Sequence, residues 1–339
     1  MMKTFAFLFY PLNFKQLRKF WPWINFIPPF IYPYLSKNIL PFKISKIKKV
    51  RSSQGDEIQG FIMACPLLPQ DLLTLKKKFV LDKIITAGRI AKHYGADILG
   101  LAGCDFIIKD KIYNASKAVK LPFTNGNALT AWSVFEAIYR VSKSKKMELK
   151  NFNLGVIGID NPVALLSLGK LADYVQRIII TDKNQQNLEN VKDKICNLNQ
   201  TQILIEEDIT KVARESDVLI IADDLADTKV SIEDFKPNSI ICDISLSKTL
   251  RQRMHPRLDV TLINPGLIKL PYPVDFGIDD GFPKDIISAS LAEAMLLTFQ
   301  GRFVNYSLGD SMNLDKLEEI ADIAARYGFE VWVPQAPVG

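Results

Sequence analysis

At the end of the apolar run Leu154 to Ile159 the chain reads Gly158-Ile159-Asp160-Asn161-Pro162-Val163-Ala164. That order suits a strand-to-helix turn that holds a dinucleotide pyrophosphate. Such a turn needs a glycine where the chain leaves the strand, backbone close enough to touch the phosphates, and a helix N-terminus aimed at them. Gly158 supplies the glycine, Ala164 is small enough for the third position, and Pro162 fits the first turn of a helix. Asn161 is the non-glycine residue best able to take a left-handed backbone between them. Eighteen residues past Ala164 comes Asp182, followed by Lys183. An acid there takes the ribose hydroxyls of NADH, and a base the 2′-phosphate of NADPH. Asp160 works against binding, because its carboxylate repels phosphate. The alternative is a domain of this shape that no longer binds nucleotide.

A second group, Asn125-Gly126-Asn127 with Thr130, precedes an amphipathic pattern built on Ala128, Ala131, Trp132, Phe135, Ile138 and Tyr139. A glycine-containing loop that opens a helix can hold a carbonyl or a phosphate; it can equally be ordinary capping by Asn127. Lys83, inside a helical pattern, is a candidate to polarise a substrate carbonyl, or else a solvated helix lysine. The two histidines, His93 and His255, leave Ser-His and metal chemistry little to draw on, and no metal site is expected. Cys65, Cys104, Cys196 and Cys242 are scattered, with no C-x-x-C pair. That spacing predicts neither a disulfide framework nor a zinc site, and a reducing cytoplasm.

With 339 residues, 48% hydrophobic and 24% charged, the chain suits a globular protein of two domains. The net charge of +6 is uneven: the first 51 residues hold ten Lys/Arg and no Asp or Glu, leaving 33 Lys/Arg against 37 Asp/Glu in the rest. Aromatic residues from Phe5 to Tyr34 are interleaved with these cations. The segment reads either as an arm packed on the body with its lysines in water, or as a surface for an anionic membrane or an acidic partner. No nucleic-acid partner is expected. Pro11, Pro22, Pro28, Pro29 and Pro33 break the apolar runs well below the ~20 residues a spanning helix needs. Lys15, Arg18 and Lys19, with no small-residue cleavage site after them, predict no secretory leader. The expected location is cytoplasmic, with any membrane contact peripheral.

The positioning elements follow from periodicity. Residues 57–63 read as a strand, 71–94 as one or two helices ended by Gly95, and 98–102 as a buried strand. From Lys150 onward short apolar strands recur at 154–159, 177–181, 202–205, 218–222, 239–242 and 260–263. Helices at 162–174 and 186–198 alternate with them, which implies a doubly wound parallel α/β sheet. Two strong helices, 283–300 and 314–327, follow. The expected organisation is an arm (1–55), an α/β substrate domain (56–150), a Rossmann-type domain (151–282) and C-terminal helices (283–339).

Several stretches together resemble the long-chain acyl-[acyl-carrier-protein] reductase family, the cyanobacterial enzymes that form fatty aldehydes and their bacterial relatives. They include Phe5-Ala6-Phe7 with Pro11-Leu12, Ile44-Ser45 with Arg51-Ser52, Gly60-Phe61 with Cys65-Pro66-Leu67, and Lys83-Ile84-Ile85 with Ala87-Gly88. Thr124-Asn125-Gly126-Asn127 with Thr130 resembles the family's T-T-G-N-x-x-T. The most specific stretch is Leu291-Ala292-Glu293-Ala294-Met295-Leu296-Leu297 with Gly301-Arg302 and Tyr327-Gly328-Phe329. The resemblance implies a substrate domain beside a Rossmann domain, C-terminal helices returning to the substrate side, and reduction of a fatty acyl thioester by NADPH through a cysteine acyl-enzyme. That cysteine lies three residues before the glutamate of the A-E-[AT]-M stretch, where this chain has Ser290. A serine hydroxyl is inert without a neighbouring base. Glu293 stands one helical turn past Ser290, and Cys104 is the cysteine that could replace the nucleophile. The family's G-A-T-G-x-I-G turn keeps one glycine here. Its D-x-x-x-P-[KR] stretch reads Asp243 to Lys248 without the proline, and its paired glycines read Pro265-Gly266. The resemblance therefore implies an NAD(P)-linked oxidoreductase acting on an acyl thioester or other small carbonyl compound without a cysteine acyl-enzyme. The alternative is an inactive relative that binds nucleotide, acyl chain or carrier protein as a sensor or scaffold. Acyl-carrier protein or an anionic membrane would dock on the basic arm.

Overall fold

The computed structural model describes residues 2–11, 16, 18, 26–28, 31–102, 111–184, 186, 188, 202–225, 228, 230–245, 257, 259–278, 281–309 and 313–333. The first elements are β1 (Thr4–Phe9), α1 (Tyr32–Asn38), β2 (Phe42–Arg51), β3 (Glu57–Ala64), α2 (Pro69–Thr74), α3 (Lys77–His93), β4 (Ile98–Leu101), α4 (Lys111–Val119), β5 (Phe123–Thr124) and α5 (Asn127–Ser144). Next come β6 (Asn153–Ile157), α6 (Pro162–Leu171), β7 (Arg177–Thr181), β8 (Gln202–Ile205), α7 (Ile209–Glu215), β9 (Val218–Ile221), β10 (Ile240–Asp243) and β11 (Thr261–Ile263). The last are β12 (Leu267–Lys269), β13 (Ile286–Ser288), α8 (Ala289–Gln300), α9 (Leu314–Tyr327) and β14 (Glu330–Val331). They form two compact α/β units, residues 1–129 with 268–330 and residues 130–267 with 331–339.

In the first unit a five-stranded sheet runs β2-β3-β1-β4-β5, parallel except for the antiparallel β2–β3 pair. Residues 4–9, which the charge pattern groups with a basic arm, thus form the central strand. Burial explains the difference. Phe5, Ala6 and Leu8 are wholly enclosed, and a strand covered on both faces shows no alternation to betray it. Helix α8 lies against β1, β3 and β4. A side chain on Gly100 of β4 would strike Ala294 Cβ at 2.8 Å, so the small residues at 100 and 294 set this close approach. The helix begins at Ala289 rather than near residue 283. Residues 286–288 are extended, and the Ser288 hydroxyl caps the helix by accepting from the Leu291 amide at 3.3 Å.

The second unit is a six-stranded parallel sheet in the order β11-β10-β9-β6-β7-β8. The chain steps outward from β6 through β7 to β8, then crosses back to β9 and outward through β10 to β11. This is the doubly wound order, and its direction reverses between β6 and β9. Ligands of such sheets bind at the carboxyl ends of the strands beside that reversal. Leu154, Val156 and Ile157 of β6 and Val218, Leu219 and Ile220 of β9 are enclosed on both sides, as parallel strands require. All but two residues of the helix expected at 186–198 lie outside the described residues, as do Cys104 and positions 246–248. No helix among the described residues is long and apolar enough to cross a membrane.

Candidate functional site

The strand-to-helix turn of the second unit stands at the reversal point. Gly158 follows β6 with φ +85°, a conformation that glycine adopts without strain. Its amide donates to the Thr181 carbonyl at 3.0 Å, tying the turn to the end of β7. Asn161 departs from the left-handed expectation: with φ −73° and ψ 122° it is extended and caps α6. Its Oδ1 accepts from the amides of Val163 (2.9 Å) and Ala164 (3.4 Å), so the side chain occupies donors that a phosphate would use. Ala164 is buried under the turn. Asp182 is placed at the end of β7 and accepts from the Asp160 amide at 3.2 Å and the Asn184 amide at 2.9 Å. Lys183 donates to the Asp224 carbonyl at 2.5 Å. A residue that sequence reasoning missed, Asp223, completes the turn. Burial first, then the charges of Asp182, Asp160 and Asp224, raise its carboxyl above the ordinary aspartate range, with Lys183 opposing.

In the first unit the organising group is Glu293. It is the one titratable residue of α8 (ASLAEAMLLTFQ) and is fully enclosed. A carboxyl removed from water must be hydrogen-bonded. One oxygen accepts from the Thr124 hydroxyl and from the Gly126 amide at 3.2 Å; the other accepts from the Leu129 amide at 3.0 Å. The Ser307 hydroxyl also reaches it, and itself accepts from the Ala128 amide at 3.1 Å. Burial outweighs these bonds and raises the Glu293 carboxyl above the ordinary glutamate range. The carboxyl therefore fastens the loop from β5 into α5 onto α8. Within the loop the Asn125 side chain accepts from the Asn127 amide at 3.2 Å, so the turn is made by Asn125. Ser307 is held at φ +56°, which a serine adopts at a cost and only where its surroundings compel it.

The same loop covers Ser290. Gly126 has φ +80°, and a Cβ there would lie 2.2 Å from Ser290 Cα. Ser290 is the second residue of α8, half-buried, and its hydroxyl lies 3.3 Å from that of Ser288. The structure thus brings Ser290, Glu293 and Asn125–Asn127 into one group. Gly126→Ala combines a disfavoured φ with a backbone collision, and is expected to lower stability by about 2–4 kcal/mol. Denaturant unfolding checks this, and an unchanged midpoint would contradict the packing.

Other expected site residues lie elsewhere. Lys83 is buried rather than solvated, because its ammonium donates to the Ile39 carbonyl at 2.5 Å and sits over the Phe79 ring. Burial lowers its pKa, while burial pushes the neighbouring Cys65 thiol up to about 12. None of these neighbours belongs to the Ser290 group. In the second unit Gly266 (φ +85°) donates its amide to the Ser133 hydroxyl at 2.8 Å, beside Thr130 of α5.

No protein-family model matches the chain. It is similar to the aminotransferase PigE of a Serratia species, 21% identical over 307 residues. That alignment takes in 89% of this chain and 35% of PigE, so the chain spans about a third of that relative's length. It is also 25% identical over 296 residues to the long-chain acyl-[acyl-carrier-protein] reductase of Synechococcus elongatus, covering 83% of this chain and 85% of the reductase. Among solved structures, L-tryptophan dehydrogenase from Nostoc punctiforme aligns over 96% of this chain and 83% of its own, at 12% identity and a TM-score of 0.41. Shikimate 5-dehydrogenase from Listeria monocytogenes, in complex with shikimate and NAD, aligns over 94% and 96%, again at 12% identity and 0.41.

Proposed function

We propose that the chain is an NAD(P)-linked oxidoreductase that acts on an acyl thioester or another small carbonyl compound, with no acyl-enzyme on Ser290. The observation that carries this reading is the turn at the reversal point of the doubly wound sheet. There Gly158 opens the crevice between the ends of β6 and β9, and Asp182 stands at the end of β7. These residues fit a dinucleotide once the Asn161 side chain gives up the Val163 and Ala164 amides: Gly158 and the first turn of α6 would then hold the pyrophosphate, and Asp182 the ribose hydroxyls. Lys183 lies beside the place of a 2′-phosphate. A bound nicotinamide supplies or takes up hydride. The distant similarity to an acyl-[acyl-carrier-protein] reductase supports the acyl substrate class. The exposed Lys46 and Lys48 on the edge strand β2 offer charge to an acidic carrier protein or an anionic membrane. Lys49 and Arg51 of the same strand already pair with Glu57.

A second reading, a relative that binds without catalysing, is favoured by the Asn161 cap, which occupies the Val163 and Ala164 amides. Calorimetric titration separates the two. The wild type is expected to bind NADH and NADPH with less than about tenfold discrimination. Asp182→Asn keeps an acceptor for the Asp160 amide while removing the charge that repels a 2′-phosphate. It should shift the preference toward NADPH by about tenfold, or ~1.4 kcal/mol. Binding of neither dinucleotide would remove the oxidoreductase reading in favour of the second.

A further inference from the structure

We propose that Asp223 gates the phosphate crevice, so that a dinucleotide binds the form of the protein in which this side chain is neutral and one proton is taken up on binding. The inference rests on the oxidoreductase reading and adds the residue that regulates it.

The geometry is local to the reversal point. Asp223 comes two residues after β9, and Gly158 directly follows β6, its neighbour in the sheet. The two residues touch: a Cβ on Gly158 would lie 2.8 Å from Asp223 Cγ, 2.8 Å from its amide nitrogen and 2.9 Å from Oδ1. Glycine is thus required here for its positive φ and because the Asp223 carboxyl fills the space beside it. A pyrophosphate drawn to this crevice meets that carboxyl at close range.

The groups that face Asp223 come from each neighbouring segment. Asp160 comes from the turn into α6, Asp182 and Lys183 from the end of β7, and Asp224 adjoins it in the chain. Burial and the three carboxylates favour the neutral form, while Lys183 opposes and is itself bonded to the Asp224 carbonyl. At the end of β10 the Asp243 carboxylate accepts from the amide (2.9 Å) and hydroxyl (2.6 Å) of Ser245. An arriving pyrophosphate adds negative charge to the same side of the balance. Binding therefore drives the Asp223 proton on, and by linkage a rise in pH drives the dinucleotide off.

The test uses NAD+ as probe, titrated by calorimetry from pH 5.5 to 8.5 in buffers of differing ionisation heat. The wild-type Kd is expected to rise with pH once Asp223 ionises in the free protein, by at most about tenfold per pH unit, with up to one proton taken up on binding. Asp223→Asn, similar in shape but without the charge, should bind with a nearly flat Kd that is at least tenfold tighter at pH 8. Asp223→Ala gives a second reading should the amide disturb the turn. Wild-type binding with no pH slope and no proton uptake would overturn the gate while leaving the oxidoreductase reading in place. Weaker binding by both variants would also overturn it, by making Asp223 a ribose acceptor. A slope lost in Asp160→Asn and kept in Asp223→Asn would move the gate elsewhere. Absence of binding by every variant at every pH would remove the nucleotide reading and the gate with it.

Discussion

Ser290→Cys protein mixed with a long-chain acyl thioester is expected to gain the mass of one acyl group, while the wild type keeps its own mass. Among the described residues no base is hydrogen-bonded to the serine hydroxyl. Its near side-chain neighbour is the Ser288 hydroxyl at 3.3 Å, a group that cannot take its proton at neutral pH. Glu293, one turn along the helix, is occupied elsewhere: its oxygens face Thr124 and the amides of Gly126 and Leu129. A thiol at position 290 meets different conditions. It would stand second in a helix of twelve residues, where the helix dipole favours a thiolate. Intact-mass spectrometry with acyl-coenzyme A reads the outcome. An acylated wild type would overturn the assignment of an unreactive serine. A Ser290→Cys variant that binds dinucleotide but never acylates would favour the non-catalytic reading.

Replacement of Glu293 by alanine is expected to lower the unfolding free energy by about 3–5 kcal/mol. The variant leaves the Thr124 hydroxyl and the Gly126 and Leu129 amides without their acceptor in a site closed to water, and adds a cavity. Glu293→Gln keeps the volume but turns an NH2 toward donors, so it should destabilise less. The pH dependence follows from the raised carboxyl. Above the ordinary glutamate pKa the folded protein retains a proton that the unfolded chain has lost. The contribution of this group is therefore complete below that pKa and declines as pH rises toward the folded value. Denaturant melts over pH 4 to 8 should show this decline in the wild type and a flatter profile in Glu293→Gln. Equal slopes in the two proteins would place the titration on another group.

The sequence by itself determined the doubly wound sheet. Its strands are apolar runs bounded by turns, and its connections are short enough to be read in order. The glycine at 158 and the acid at 182 were legible for the same reason, since each directly follows a strand. Three features depended on residues distant in sequence. Thr4–Phe9 became a central strand because Glu57–Ala64 and Ile98–Leu101 enclose it, which charge and aromatic content near the N-terminus do not reveal. In sequence Glu293 shows only its place one helical turn past Ser290. Its burial follows from α8 being covered on all sides and from the return of Thr124 and Ser307 to the same point. Asp223 is an ordinary acid after an ordinary strand until the reversal of strand order sets β9 beside β6. Pairing, burial and charge crowding between distant segments are properties of tertiary structure, and they decided which of the legible residues could act together.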